Sequence, residues 1–261
     1  VRNEAYDCWK YALAALRLGA DPQNVVTTTP RPTKLLRQLI SDPLTALTKG
    51  RTLENAANLA PQFLDQIVKR YQGTRLGRQE LDAEILDDVP GALWTWAMLE
   101  DRRQAPDLTR AVVAIDPAVT SGEDSDETGI VVAGIGVDGR GYVLADRSCR
   151  LSPDGWARRA VQAFDDYAAD AVIAEANNGG DLVENTIRTV RKSIPYRKVH
   201  ASRGKQTRAQ PVAALYEQGR VSHVETFAEL EDQLTTWTPE SGRSPDRLDA
   251  LVWALTDVLL G

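Results

Sequence analysis

Cysteine and histidine are scarce in this chain, with two residues of each among 261. Cys8 and Cys149 are too few for a disulfide framework, and no group of cysteines and histidines has the spacing of a zinc site. We therefore expect a protein of a reducing, cytoplasmic compartment with two inert, buried thiols. His200 and His223 are isolated in the sequence, which favours structural or surface roles over metal ligation.

Long apolar runs and a signal peptide are also missing. No stretch approaches the roughly 18 consecutive apolar residues required for a membrane span, so we expect no membrane association. The chain begins at Val1 without an initiator Met, which predicts a fragment or a processed product. Its apolar content of 43% and charged content of 26% are ordinary for a soluble globular protein.

Basic residues are concentrated in one segment of an otherwise acidic chain. The formal net charge of −6 argues against general coating of nucleic acid. Residues 185–210 contain no Asp or Glu and eight basic residues, which are Arg188, Arg191, Lys192, Arg197, Lys198, Arg203, Lys205 and Arg208. The remainder holds 37 acidic residues against 31 − 8 = 23 basic ones. The segment suits a contact with a phosphate backbone, although a solvated helix face has the same composition.

The apolar pattern divides the chain at residues 101–107, a polar stretch with a proline that is typical of a linker. Before it, the spacing predicts helices over 5–18, 35–40, 53–71 and 77–86, and one short strand over 24–29. After it, the predicted strands cover 111–116, 129–137, 141–147, 171–175 and 197–201. The predicted helices cover 153–169, 181–192, 207–218, 227–237 and 245–260. This order indicates an α/β fold, a mixed sheet with helices on both faces.

Four carboxylates stand at the ends of these elements. Asp116 ends the first strand after the linker and Glu175 ends the fourth, while Asp246 and Asp249 open the final helix on one face. Clustered carboxylates repel one another unless cations neutralise them, and hard divalent cations prefer oxygen ligands. The pattern therefore predicts two Mg²⁺ or Mn²⁺ ions about 3.5–4 Å apart. Such a site hydrolyses phosphodiesters without a His or Cys nucleophile.

Each acid also has a structural explanation. Asp116 precedes Pro117 and could form a turn, and Asp246 and Asp249 could stabilise the helix through its dipole. Glu175 is harder to explain in this way, because an acid that closes an apolar strand requires a partner.

Together, the motifs resemble the large terminase subunit of tailed bacteriophages. The similarity is carried by Ala-Ile-Asp-Pro-Ala at 114–118, Thr-Gly-Ile-Val-Val-Ala-Gly at 128–134, Ile-Ala-Glu-Ala-Asn at 173–177, the segment 204–216, and Pro-Asp-Arg-Leu-Asp-Ala-Leu at 245–251. It implies that residues 106–261 form a nuclease domain with the ribonuclease H-like fold. Residues 1–105 resemble the partial, mostly helical end of the family's ATPase domain with its linker. No Gly-x-x-x-x-Gly-Lys-Ser/Thr loop is present, so ATPase activity is not expected from this chain alone.

The resemblance implies a metal-dependent endonuclease that cuts double-stranded phage DNA concatemers during genome packaging. Asp116 and Glu175 match two of the family's metal-binding acids, and either Asp246 or Asp249 matches the third. The buried face that begins at Ala250 slightly favours Asp246.

Further roles follow from the same resemblance. Lys205 and Arg208 are candidates to hold the DNA backbone, and Arg203 and Arg197 are weaker candidates. The implied partners are double-stranded DNA, the portal protein and the small terminase subunit. The implied location is the cytoplasm of the infected bacterial host.

Some residues near the motifs have two explanations. Asp124 and Asp126 could assist a second metal, although a flexible acidic hairpin explains them as well. Trp237 and Trp253 are expected in the core, with base stacking as the alternative.

Two other classes of function are open at this point. A nucleotide-binding module of the actin and sugar-kinase type would require glycine-rich phosphate loops, for which Gly179-Gly180 is a poor substitute. A truncated terminase that acts only as a DNA or portal docking module has the same sequence features, because ligands can be present without a working geometry.

Overall fold

The computed structural model of the chain describes residues 9, 11–12, 14, 20–30, 34–71, 75–86, 88–117, 127–175, 180–200, 204–241 and 245–261. The chain divides into two compact units, residues 1–87 and 88–261. The sequence predicted a different boundary, between an ATPase-domain remnant (1–105) and a nuclease domain (106–261). That boundary stays a prediction. Within the described ranges, no helix is both long and apolar enough to cross a membrane.

The first unit contains the helices α1 (Lys34–Ser41), α2 (Pro61–Tyr71) and α3 (Arg75–Glu80), with a 3-10 helix at Thr52–Asn58 between α1 and α2. The helix predicted over 53–71 is thus two segments, because Pro61 lacks the amide hydrogen needed inside a helix and instead starts α2.

Two further predictions for this unit are wrong in part or in full. The helix predicted over 77–86 ends at Glu80, and Ala83 has a left-handed φ of 54° that is incompatible with a continuing helix. The strand predicted over 24–29 is wrong, because residues 21–30 form no regular secondary structure and Val25 is exposed. β-Propensity without a partner strand does not make a sheet. The helix predicted over 5–18 lies mostly outside the described residues.

The second unit begins with the short helix α4 (Trp96–Leu99) and continues with alternating strands and helices. The strands are β1 (Leu108–Asp116), β2 (Gly129–Gly136), β3 (Gly141–Asp146), β4 (Ala171–Glu175), β5 (Tyr196–Val199) and β6 (Val221–His223). The helices are α5 (Pro153–Asp166), α6 (Gly180–Val190), α7 (Lys205–Glu217), α8 (Ala228–Thr236) and α9 (Asp246–Leu259). The strands and helices predicted for this unit are confirmed to within a few residues at each end.

The six strands form one mixed sheet in the order β5-β4-β1-β2-β3-β6. β2 runs antiparallel to its neighbours β1 and β3, while β4 pairs parallel to β1 and β5, and β6 pairs parallel to β3. The three-residue strand β6 was not predicted, because it is too short and too polar to show an apolar pattern. β1 lies inside the sheet between β4 and β2, which agrees with its buried apolar sequence.

Helices cover both faces of the sheet, and alternate residues of β1 enter two separate cores. Val112 and Ala114 pack with α7, α8 and α9 on one face, whereas Val113 and Ile115 pack with α5 and α6 on the other. The helix α9 lies across the strands, and its last turn approaches Gly141 so closely that an added Cβ would be 2.6 Å from Leu259 Cδ1. The opposite end of α9 carries the two predicted aspartates.

Residues outside the acid pattern also behave as expected. His223 is buried and hydrogen-bonded, and His200 is exposed, in agreement with structural and surface roles. Cys149 is a free, buried thiol, while Cys8 lies outside the described residues.

Candidate active site

Asp116 is the last residue of β1, and its sheet partner is a glycine. The antiparallel register pairs Asp116 with Gly129, the first residue of β2. A Cβ at Gly129 would lie 2.0 Å from the carbonyl oxygen of Asp246, so only glycine allows the first turn of α9 to pack on this strand. The packing brings the aspartates of α9 to the end of β1.

Glu175 ends β4, the parallel neighbour of β1. Ile115 is paired with Ala174, so the two strands end side by side and their terminal acids lie at the same edge. The carboxylate of Glu175 is 14% exposed, and its Oε2 accepts hydrogen bonds from Arg208 Nη1 at 3.3 Å and from Trp253 Nε1 at 3.2 Å. These are the partners that an acid closing an apolar strand was expected to require.

Asp246 and Asp249 occupy the first turn of α9. Asp246 is partly buried, whereas Asp249 is only 3% exposed and forms an ion pair with Lys205 Nζ at the start of α7. The structure therefore places two acids from strands, two acids from α9 and two basic residues from α7 in one region.

The electrostatics show that the acids act on one another. Burial, together with the nearby charges of Asp249, Asp246 and Glu175, raises the pKa of Asp116 to about 8, while Lys205 opposes the rise. The effect of Asp249 exceeds that of Asp246. Four carboxylates that interact in this way form a site that a cation would stabilise.

The donor set fits a hard divalent cation, since it consists of carboxylate oxygens at a half-buried edge of the sheet. Among the described residues, however, no three His, Cys, Asp or Glu side chains lie close enough together in this arrangement to hold one metal ion. Lys205 and Arg208 bind Asp249 and Glu175 instead. The acids are neighbours whose charges are partly compensated by the protein's own cations.

Residues 113–257, more than half of the chain, match the family described as the terminase RNaseH-like domain. The chain belongs to the large terminase family. Residues 4–101 match the family described as terminase large subunit, T4likevirus-type, N-terminal, which agrees with the resemblance seen in both halves of the sequence. No curated protein matches the chain.

Solved terminase structures are similar to this chain at low identity. The large terminase of a thermophilic bacteriophage, in complex with ADP, has a TM-score of 0.52 and 12% identity, over 80% of this chain and 55% of that one. The large terminase nuclease from thermophilic phage G20c with bound magnesium has a TM-score of 0.47 and 17% identity, over 64% of this chain and 98% of that one. This terminase chain thus spans about half the length of the ADP-bound protein, and the likeness to it concerns the fold.

The remaining candidate residues of the terminase chain do not all reach the acid cluster. Arg197 lies on β5 and pairs with Asp257, two turns beyond Asp249 on α9. Arg203, Asp124 and Asp126 lie outside the described residues. Trp237 and Trp253 are each 6% exposed, as expected for core residues, but Trp253 also contacts Glu175.

Sequence reasoning missed Arg247, which lies between the two aspartates of α9 and is 7% exposed. Its Nε and Nη2 donate to both carboxylate oxygens of Glu127 at 2.7 and 2.6 Å, and it pairs with Asp146 and Glu229. Burial lowers the pKa of Arg247, but Asp146 and Glu127 outweigh it, so the pKa is raised. The available signal was an arginine at the start of an apolar helix, which requires acidic partners when it is buried.

Proposed function

We propose that this chain is a metal-dependent endonuclease that cleaves double-stranded phage DNA concatemers by hydrolysis of the phosphodiester. The observation that carries the proposal is that burial and the nearby charges of Asp249, Asp246 and Glu175 raise the pKa of Asp116 to about 8. A cluster of this kind is costly without cations, and functional sites are where such costs are found. The terminase RNaseH-like fold supports the same reaction class.

The residues divide into three roles in this proposal. Asp116 and Glu175, fixed at strand ends, hold two Mg²⁺ or Mn²⁺ ions together with Asp246, Asp249 or both. The bound ions would supply an activated water and stabilisation of the leaving oxygen. Lys205 orients the DNA backbone through charge-assisted hydrogen bonds to phosphate oxygens. Arg208 keeps its Nη1 on Glu175 and contributes positive charge to the same DNA contact. Trp253 keeps the Glu175 carboxylate in place through its indole N–H.

Nicking of supercoiled plasmid tests the proposal. The purified chain is incubated with plasmid and Mn²⁺ or Mg²⁺, beside Asp116→Asn and Glu175→Gln, which preserve side-chain shape. Asp154→Asn is the matched control, since Asp154 is exposed on α5, on the opposite face of the sheet from α9. Nicking that requires metal, persists in the control and is lost in both site variants supports the nuclease. An inactive parent chain at every metal concentration overturns it.

A non-catalytic DNA or portal docking module is the second candidate. Lys205 and Arg208 occupy the carboxylates of Asp249 and Glu175, which a catalytic metal would need. In addition, no three acids among the described residues converge on one metal position. Both findings favour the non-catalytic module. The two candidates differ in outcome. A docking module binds duplex DNA in a gel-shift assay and never nicks it, whereas the nuclease does both.

The wider setting belongs to the same proposal. We infer double-stranded DNA as substrate, with the portal protein and the small terminase subunit as partners in packaging. The location is the cytoplasm of the infected bacterial host. Residues 1–105 act as the end of the ATPase domain and the linker, and ATP hydrolysis is not expected from this chain alone.

A further inference from the structure

Two basic residues of α7 each hold one carboxylate of the acid cluster. Lys205 and Arg208 are three residues apart, so they extend from the same face of the helix. Lys205 Nζ pairs with Asp249, and Arg208 Nη1 donates to Glu175 Oε2 at 3.3 Å. The helix thus supplies the cluster with positive charge from the protein itself.

The basic side chains of the two ion pairs differ in how much they are buried and packed. The Arg208 side chain is 12% exposed, and its guanidinium carbon lies 4.4 Å from the centre of the Trp253 ring, which itself donates to Glu175. The Lys205 side chain is 47% exposed and has a flexible four-carbon stem. Arg208 is therefore fixed on its carboxylate, whereas the Lys205 ammonium can move into solvent once another cation takes its place beside Asp249.

The carboxylate of Asp249 cannot be left without a cation. Its side chain is 4% exposed, and an unpaired buried charge is strongly destabilising. Lys205 meets that requirement, and a divalent ion would meet it as well. The ammonium and a divalent ion repel each other, so both cannot occupy the same few ångströms beside Asp249.

We propose that Lys205 is a built-in counter-ion of the acid cluster, which a divalent cation must displace from Asp249 in order to bind. This inference rests on the proposed function and adds a regulatory step to the same site. Displacement frees the exposed ammonium of Lys205 to contact a phosphate, while Arg208 stays on Glu175. Metal binding and DNA binding should consequently strengthen each other, because each removes a competitor of the other.

Calorimetric titration of Mn²⁺, without DNA, tests the competition directly. Lys205→Met retains the stem and removes the charge, and we expect it to bind Mn²⁺ about tenfold more tightly than the parent. Lys192→Met is the control, since Lys192 is exposed and lies before β5, outside the cluster, and its affinity should equal that of the parent. Equal or weaker Mn²⁺ binding by Lys205→Met overturns the inference.

The same substitution in the Asp249→Asn variant tests whether Lys205 competes for Asp249 itself. The alternative is that removal of any positive charge near the cluster strengthens Mn²⁺ binding. In Asp249→Asn, Lys205 has lost its charged partner, so adding Lys205→Met should change the Mn²⁺ affinity by less than about twofold. A tenfold gain in this background as well would overturn the inference. If Lys205→Met unfolds, Lys205→Gln provides the same comparison.

The outcomes also distinguish this inference from the proposed function. Saturable Mn²⁺ binding by the parent with no gain in Lys205→Met overturns the counter-ion role alone. No saturable binding by the parent or by any variant overturns both. Binding by Lys205→Met only would support the competition and show that the lysine controls access to the site.

Discussion

Gly129 lies beneath the carbonyl oxygen of Asp246, at a separation that leaves no room for a side chain. An added Cβ would be 2.0 Å from that oxygen and 3.1 Å from Ala250 Cβ. The first turn of α9, with both of its aspartates, can therefore pack on β2 only because Gly129 has no Cβ. Because Gly129 is also the register partner of Asp116, the same contact determines how near Asp116 comes to the two aspartates of α9.

Gly129→Ala is predicted to push the start of α9 away from the sheet. We expect a loss of about 1–3 kcal/mol in the free energy of unfolding, typical of overpacking, and a loss of plasmid nicking out of proportion to it. Urea denaturation and the nicking assay measure the two effects. The control is Gly50→Ala, where a Cβ has nothing within 4 Å and both quantities should be unchanged. Full nicking by Gly129→Ala would show that the close contact is not required.

Arg247 is predicted to hold α9 in register with the strands. Arg247→Met would leave the carboxylates of Glu127 and Asp146 without their shared cation, which should cost about 3–5 kcal/mol. Arg247→Lys keeps the charge but loses the two parallel hydrogen bonds to Glu127, so a smaller loss is expected. Chemical denaturation of both variants checks the order. If Arg247→Lys and Arg247→Met were equally stable, the positive charge at position 247 would not hold α9 in register, and the prediction would be wrong.

The sequence predicted the features that depend on residues close together in the chain. The apolar run that ends in Glu175 predicted β4 with its observed bounds, and the same pattern placed Asp116 and Glu175 at the ends of their strands. The parallel pairing of β1 and β4 brings these two ends to one edge of the sheet. The sequence did not predict ion pairs between residues that are far apart in the chain. Arg247 meets Glu127 and Asp146 across more than 100 residues, and no spacing rule identifies such a pair.

The basic segment shows the same limit in another form. Composition alone allowed two interpretations of 185–210, a basic surface for a phosphate backbone or a solvated helix face. Among the seven basic residues that the structure describes in this segment, six form ion pairs within the chain, namely Arg188, Arg191, Arg197, Lys198, Lys205 and Arg208. Their partners come from α5, β4, α6 and α9, so they are visible only after folding. The segment's charge is therefore largely compensated before any DNA arrives.

The raised pKa of Asp116 predicts a pH dependence of stability in the metal-free protein. With a pKa of about 8 in the folded chain against 3.8 when unfolded, the folded state binds more protons between these values. The contribution to stability is complete below about pH 4 and is lost as the pH rises through 8, by up to about 1.4 kcal/mol per pH unit. Urea denaturation in EDTA from pH 5 to 8 should show the parent losing stability relative to Asp116→Asn. Parallel curves would mean that Asp116 titrates normally.

Trp253 is predicted to report on the state of Glu175. Its indole N–H donates to Glu175 Oε2 at 3.2 Å, and Arg208 stacks on its ring, so a change at the carboxylate should alter the indole emission. We expect Mn²⁺ addition to change the tryptophan fluorescence of the parent and to change it far less in Trp253→Phe. Trp156→Phe is the control, because Trp156 lies in the core on the other face of the sheet. A response that survives in Trp253→Phe would assign the signal to another tryptophan.

Arg102 is predicted to attach the residues before β1 to the far edge of the sheet. Its Nη2 pairs at 2.7 Å with Glu231, a fully buried carboxylate that also contacts His223 Nδ1 at 2.8 Å. Arg102 and His223 are bridged through their backbones as well. Arg102→Met should cost about 2 kcal/mol in the free energy of unfolding, less than for a wholly buried pair because Arg102 is 30% exposed.

Arg103→Met is the matched control for this change, since Arg103 is more exposed and pairs only with the exposed Asp101 among the described residues. Its stability should stay within about 0.5 kcal/mol of the parent. Hydrogen exchange adds a local measurement, because the amide of Arg103 donates to the His223 carbonyl at 3.3 Å. That amide should exchange faster in Arg102→Met, as the segment before β1 separates from β6. Unchanged exchange with reduced stability would show that Arg102 stabilises the buried Glu231 without holding the segment in place.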